Sequence, residues 1–216
     1  MNEGPREGLR ERKKRQTRQR ISEAALGLFV ARGFDNVTIA EVAAAAEVSV
    51  KTLYNYFEAK EDLVLPPHEA SPQRLADIVR ARRPGESAVR AVLDRLRDEL
   101  RRRDRKVGLS AGFGPVFEMM RAAPTLTARL EDLGRQMTDA LATVLAEETG
   151  APPHDQTPRV VAGQIGWFHS LVYSEIGRRI VAGEKPDTIA ETLLELLDVV
   201  EEMLGERALG YAAREG

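Results

Sequence analysis

Apolar residues recur every three to four positions along most of the chain, and this period predicts helices joined by short turns, with no alternating segment that would form a strand. Ile21, Ala24, Ala25, Leu28 and Phe29 share one face of a first helix. That helix is expected to run from near Thr17, or a little earlier, to Ala31, and Gly33 stops it. Ile39, Val42, Ala43 and Ala46 mark a short second helix. Thr38 stands at its N-cap, and Glu41 at the position that completes a capping box. Ser49 caps a third helix, so residues 39–46 and 50–57 read as a helix-turn-helix broken at Glu47-Val48-Ser49. Glu58-Ala59-Lys60-Glu61-Asp62-Leu63 is expected to open a fourth helix, ended or bent by Pro66-Pro67.

Farther along, Leu75 to Arg82 forms a short amphipathic pattern, and Ser87 to Asp104 a longer one striped by Val89, Val92, Leu93, Leu96 and Leu100. Residues 108–115 read as a turn or irregular link, and Gly112-Phe113-Gly114 lacks the Lys-Ser/Thr that a phosphate loop requires. Helices are then expected over 116–122, 125–149, 158–182 and 187–204. The last two carry apolar arcs wider than the roughly 100° that one core contact occupies. Those arcs predict a homodimer through residues 158–182 and 187–204. The fold class expected is all-α: an amino-terminal three-helix helix-turn-helix domain over 1–64, followed by a helical bundle over 65–216.

The chain has 216 residues, 43% of them apolar, enough to build a core, and no cysteine, which excludes disulfides and thiolate chemistry. His68, His154 and His169 stand without ligand spacing, so no metal site and no cofactor are expected. Glu118, His169 and Glu175 could act as acids or bases, but nothing pairs them with a nucleophile, so the chain does not read as an enzyme. No apolar run reaches the roughly 18 residues that span a bilayer, and the polar start Met-Asn-Glu-Gly-Pro-Arg is no signal peptide. No membrane partner and a cytoplasmic location are therefore expected. Formal net charge is −2, yet residues 1–20 hold eight basic side chains against three carboxylates, a net of +5. A basic arm beside a helix-turn-helix points to double-stranded DNA, with arm residues such as Arg15 and Arg18 on phosphates. A nucleoid-type protein without sequence preference would use the same arm.

The run Val48-Ser49-x-x-Thr52-Leu53-Tyr54-x-Tyr56-Phe57-x-x-Lys60-Glu61-x-Leu63, with the basic arm and the capped Thr38 helix, resembles the TetR/AcrR family of bacterial transcriptional regulators over about residues 17–64. The resemblance implies a DNA-binding domain, a helical domain for ligand binding and dimerisation, and repression relieved by a small-molecule effector. It places Thr38 on phosphate at the start of the second helix. It assigns Ser49, Val50, Lys51, Thr52, Tyr54 and Asn55 to the recognition helix, and Tyr56 and Lys60 to the DNA backbone. Leu53 and Phe57 would hold that helix in the core, leaving Tyr56 outward and Tyr54 partly packed. Glu47 occupies a turn position that is commonly Gly, so a left-handed conformation is expected there at a cost of order 1 kcal/mol. Lys51 replaces a residue that is often small, and could meet a phosphate or a guanine.

Effector candidates are Phe113, Phe117, Met120, Met137, Trp167, Phe168 and Tyr173, because aromatic and Met side chains suit apolar or planar guests. Arg121 and Glu118 could supply a polar end, and His169 a hydrogen bond. Each of these serves equally well as ordinary core or surface.

Overall fold

Arg, Lys and Gln are good helix formers, and they carry the first helix through the basic segment: α1 runs Leu9–Arg32, starting eight residues before Thr17. The computed structural model describes residues 8–64, 70–104, 107–109 and 112–214, and of residues 9–11 the backbone alone. Arg6, Pro66, Pro67, His68 and the link residues 110 and 111 lie outside the described residues, as does the side chain of Arg10. α1 stops at Gly33, whose φ of 83° suits a residue without a Cβ, and whose N–H donates to the Phe29 carbonyl at 2.8 Å.

α2 spans Ile39–Ala45 and α3 spans Val50–Tyr54. The third helix is shorter than the expected 50–57. Asn55 N–H is shared between the Lys51 and Thr52 carbonyls, and Tyr56 N–H reaches back to Leu53 O at 2.9 Å, so the last turn tightens and leaves the α-helical path. The expected fourth helix over 58–63 is likewise reduced to a single 3-10 turn, Glu61–Leu63. Asp62 turns its carboxylate back to accept the Ala59 N–H at 3.0 Å, a local bond that competes with helix extension.

Past the Pro-rich stretch come α4 (Arg74–Arg80), α5 (Ala88–Arg101, capped by Ser87), α6 (Gly114–Ala122) and α7 (Pro124–Thr149). α8 (Thr157–Val181), α9 (Pro186–Met203) and a one-turn α10 (Glu206–Leu209) complete the order, and no strand occurs among the described residues. The sequence pattern does not anticipate α10.

The contacts divide the chain into two compact units, one drawn from Met1–Pro66 and Met119–Leu126, the other from Pro67–Glu118 and Thr127–Gly216. In the first, α1 packs on α2 and on the 3-10 turn, and α2 on α3. Its core is Ile21, Ala25, Phe29, Phe34, Val42, Ala46, Leu53, Phe57 and Leu63, all buried. In the second, α5 packs on α4, α8 and α9, and its Leu93, Leu96 and Leu100 are buried, as are Leu141, Ile165, Phe168, Ile176, Leu193 and Leu197 on its other helices. A buried ion pair lies in this unit: Arg74 of α4 donates to both carboxylate oxygens of Glu99 at 2.9 and 3.1 Å, and to the Tyr173 hydroxyl at 3.0 Å. The tail folds back onto the α4–α5 turn, where Gly85 N–H donates to Arg214 O and Arg214 N–H to Glu86 O.

Candidate nucleic-acid interface

The turn of the helix-turn-helix is built by two caps and one left-handed residue. Thr38 Oγ1 accepts the Glu41 N–H at 3.3 Å, while the Glu41 carboxylate takes the Thr38 N–H at 2.8 Å, so the expected capping box closes in both directions. Arg32 adds a contact to the same carboxylate at 2.8 Å. The Thr38 N–H first, then its hydroxyl and Arg32, hold the Glu41 carboxyl at about 2, well below its usual range. Glu47 has φ 53°, the left-handed geometry expected of this position, and this lets the Val48 N–H close the end of α2 on the Ala43 carbonyl at 2.9 Å. Ser49 Oγ then accepts the Thr52 N–H at 3.0 Å and starts α3.

Within α3, Leu53 is fully buried, and Phe57 just beyond the helix is buried with it. Ser49, Val50, Lys51, Tyr54 and Asn55 are exposed and Thr52 is half-buried. These six thus gather on or beside one outward face. The two tyrosines exchange the expected places: Tyr54 is 52% exposed, and Tyr56 is half-buried. A helical projection fails for Tyr56 because α3 ends at Tyr54. The hydroxyls are also partly engaged within the domain, Thr38 with Glu41 and Ser49 with Thr52 at 2.8 Å.

Three expected phosphate-binding cations differ in their surroundings. Arg15 is exposed on α1. Arg18 turns inward, donating Nη1 to the Tyr56 carbonyl at 2.7 Å with its guanidinium 4.4 Å from the centre of the Phe57 ring. Lys60 donates Nζ to the Phe34 carbonyl at 2.6 Å and lies 4.3 Å from the Phe34 ring centre. Sequence spacing carries no signal for these two destinations, since both depend on main-chain carbonyls brought close only by the fold.

The proposed effector residues are more dispersed. Met120 belongs to the first unit. In the second, Phe113 and Phe117 meet edge to face at 5.3 Å, and the Phe117 ring lies so close to Gly177 that a Cβ there would come within 3.0 Å of it. Met137 and Phe168 are buried, whereas Trp167 is 53% exposed and so faces away from the interior in which a pocket was expected. Tyr173 stacks on His169 at 4.7 Å. Burial, reinforced by the Arg74 charge, pushes His169 down to about 3, so the ring is neutral, and its buried Nε2 has no protein partner. Glu118 is exposed, and Glu175 is paired with Arg178 and Arg179. Two open grooves, one lined by Gln156, Val160, Gln164 and Arg207 and one by Pro115, Glu118, Ile180 and Lys185, involve none of the seven effector candidates.

Residues 21–65 match the model of the bacterial regulatory proteins of the tetR family. A wider match is to the HTH-type transcriptional regulator TcmR of Streptomyces glaucescens, 30% identical over 201 residues that cover 89% of this chain and 82% of the relative. The chain belongs to the TetR family. It is a sequence-specific DNA-binding transcriptional regulator of all-α fold. A second relative, the HTH-type transcriptional regulator LuxR of Vibrio harveyi, is 45% identical over 47 residues, 22% of this chain and 23% of its own. Among solved structures, native NalD of Pseudomonas aeruginosa, the secondary repressor of the MexAB-OprM multidrug efflux pump, superposes with a TM-score of 0.51 at 19% identity. The superposition covers 86% of this chain and 97% of NalD, a likeness of fold. The capped α2, the left-handed Glu47 and the outward face of α3 all lie within the residues that match the family model.

Proposed function

We propose that this regulator is a repressor that binds an inverted-repeat operator as a homodimer and is released by a small-molecule effector. The observation that carries the DNA-contact assignment is the outward face of α3, a five-residue helix fixed by a side-chain cap at one end and by buried Leu53 and Phe57 behind it. Ser49, Val50, Lys51, Thr52, Tyr54 and Asn55 offer hydroxyl, amide, ammonium and methyl groups to base edges in the major groove, while Arg15, Thr38 and Tyr56 meet flanking phosphates. The dimer is supported by large apolar side chains left exposed on the last two long helices: Val160 and Trp167 on α8, Val199 and Met203 on α9. Two-fold symmetry then requires half-sites about one helical turn of DNA apart, or a nearby spacing on distorted DNA. An effector that favours a different spacing of the two readers releases operator by population shift. Phe113, Phe117, Met137, Phe168 and Tyr173 supply apolar and aromatic walls for it, and His169 a neutral hydrogen-bonding nitrogen.

The test is selection from a random duplex library at near-physiological salt, followed by sequencing. Enrichment of an inverted repeat supports the dimeric reader, and the recovered duplex serves to screen effectors that release it. Salt-sensitive binding with no enriched sequence would overturn the inverted-repeat operator in favour of nucleoid-type binding.

A further inference from the structure

Two cations of the first unit lie where charge counting would place phosphate contacts, yet both point into the protein. Each sits on a main-chain carbonyl two residues past the end of a helix. The Arg18 Nη1 reaches from α1 to Tyr56 O, two residues beyond α3, at 2.7 Å, and its guanidinium plane covers the buried Phe57 ring. The Lys60 Nζ reaches from the start of the 3-10 turn to Phe34 O, two residues beyond α1, at 2.6 Å, and lies against the Phe34 and Phe29 rings at 4.3 and 5.6 Å. Those rings in turn pack on each other at 4.9 Å. Partial burial draws the Arg18 proton affinity down and the Asp62 charge opposes it. A helix as short as α3 is not stable by itself, so whatever holds its exit determines where its outward face points.

We propose that Arg18 and Lys60 are positioning residues for DNA binding: Arg18 fixes the exit of the recognition helix through the Tyr56 carbonyl and the Phe57 ring, and Lys60 fixes the α1–α2 turn through Phe34. Neither contributes a phosphate contact. The inference rests on the reading that the α3 face meets DNA. The distinction has a direct readout, because a phosphate contact contributes about 0.9 to the slope of log affinity against log salt and a positioning contact contributes none. An arginine acting by charge is replaceable by lysine. An arginine that must stack on a ring while donating in its own plane is not.

The experiment uses the full-length protein and the selected operator duplex, with wild type, Arg18→Lys, Arg18→Gln and Lys60→Gln compared across a salt series. The expected result is that each variant binds about ten-fold more weakly with its salt slope unchanged, the loss of one charge-assisted contact. Wild-type affinity in Arg18→Lys, or a slope reduced by about 0.9 per subunit in either Gln variant, would overturn the proposal. A second measurement needs no DNA: amide hydrogen exchange at Leu53 to Phe57 is expected to speed up about ten-fold in Arg18→Lys, while α8 and α9 exchange as in wild type. Unchanged exchange at the α3 exit overturns the positioning role. A wild-type protein that binds no duplex, with exchange altered as expected, would instead count against the α3 face.

Discussion

The recognition helix α3 and the paired helices α8 and α9 each leave a face uncovered, and the two faces differ in chemistry. On α3 the exposed groups are polar or small, Ser49, Lys51, Tyr54 and Asn55 beside Val50, and they suit a hydrated, charged partner. On α8 and α9 they include Val160, Trp167, Val199 and Met203, the last 76% exposed, and apolar surface of this size gains roughly 25 cal/mol for each Å² withdrawn from water. These are the chemistries that the proposed roles require, DNA at the α3 face and a like face of a second copy at α8 and α9. The sharpest test of that contrast separates the outward positions of α9 from the inward one beside them. Leu197 is fully buried, whereas Val199 and Met203 face out. Leu197→Glu buries a charge and is expected to unfold the second unit, giving aggregated or unfolded protein. The double variant Val199→Glu, Met203→Glu should stay folded by circular dichroism, run as a monomer by light scattering, and lose about 100-fold or more in operator affinity, because two linked half-sites act together. A folded dimer with both substitutions would remove α9 from the interface. Because Trp167 is exposed beside this face and is the sole tryptophan, its emission should also move to the red in the monomer.

The α3 face is tested by the opposite kind of change, one that alters sequence preference without altering assembly. Asn55→Ala and Lys51→Ala each remove a base-edge or phosphate group from an exposed position. If a residue reads a base, binding weakens by about 1 to 3 kcal/mol for the matching base alone, and discrimination at that operator position relaxes. If it reads phosphate, the loss is uniform across sequences and the salt slope falls. Binding curves on the operator and on single-base variants decide between the two, and no change in either measure would take that residue off the DNA face.

These faces were not equally legible in the sequence. The capping box at Thr38 and Glu41 and the Ser49 cap follow from bonds that span three residues, so local spacing was enough, whereas the left-handed Glu47 was implied by the family resemblance. The burial of Leu53 and Phe57 was implied by the family resemblance, and both are buried. The outward tyrosine does not follow from helical period, because the chain leaves the helix after Tyr54 and a projection carried on to Tyr56 assumes a turn that is absent. The reduction of residues 58–63 to one 3-10 turn depends on the Asp62 carboxylate folding back to Ala59, a choice the apolar pattern does not encode. The inward turn of Arg18 and Lys60 crosses 38 and 26 residues of sequence, and α10 is only four residues long, too short to show a period. For the effector, aromatic residues were identified by type alone, which does not separate buried Phe168 from exposed Trp167.

The two units should also part under acid. His169 is neutral in the folded protein because burial and Arg74 lower it to about 3, while an unfolded histidine titrates near 6.5. A depressed folded value means that the unfolded chain binds the proton first. Stability from this group is therefore full above about pH 6.5 and declines as pH falls toward 3, by at most about 1.4 kcal/mol per pH unit. Denaturant unfolding between pH 7 and 5 should show this decline, and His169→Asn should flatten it. The Glu41 carboxyl, held at about 2, acts in the same direction but only as pH falls from about 4.5 toward 2, so the two units separate by window. A decline from pH 7 to 5 that persists in His169→Asn would assign it to another group.

The smallest expected effect lies back in the first unit, at the residue that sets the angle between α2 and α3. Glu47 holds φ 53° with a Cβ, a conformation that costs about 1 kcal/mol for an ordinary side chain, and it sets a carboxylate on the exposed turn just ahead of Ser49. Glu47→Gly removes both the steric cost and the charge, but also loosens the unfolded chain, which takes back part of the gain. Glu47→Asn tolerates the same φ, removes the charge and leaves unfolded-chain entropy nearer to that of wild type. The expected order of thermal stability is Asn and Gly above Glu, by about 0.5 to 1 kcal/mol. Both variants should bind the operator more tightly than wild type, and by the same factor if the carboxylate alone weakens binding. A gain confined to Gly would mean that flexibility of the turn, rather than its charge, limits how α3 seats on DNA.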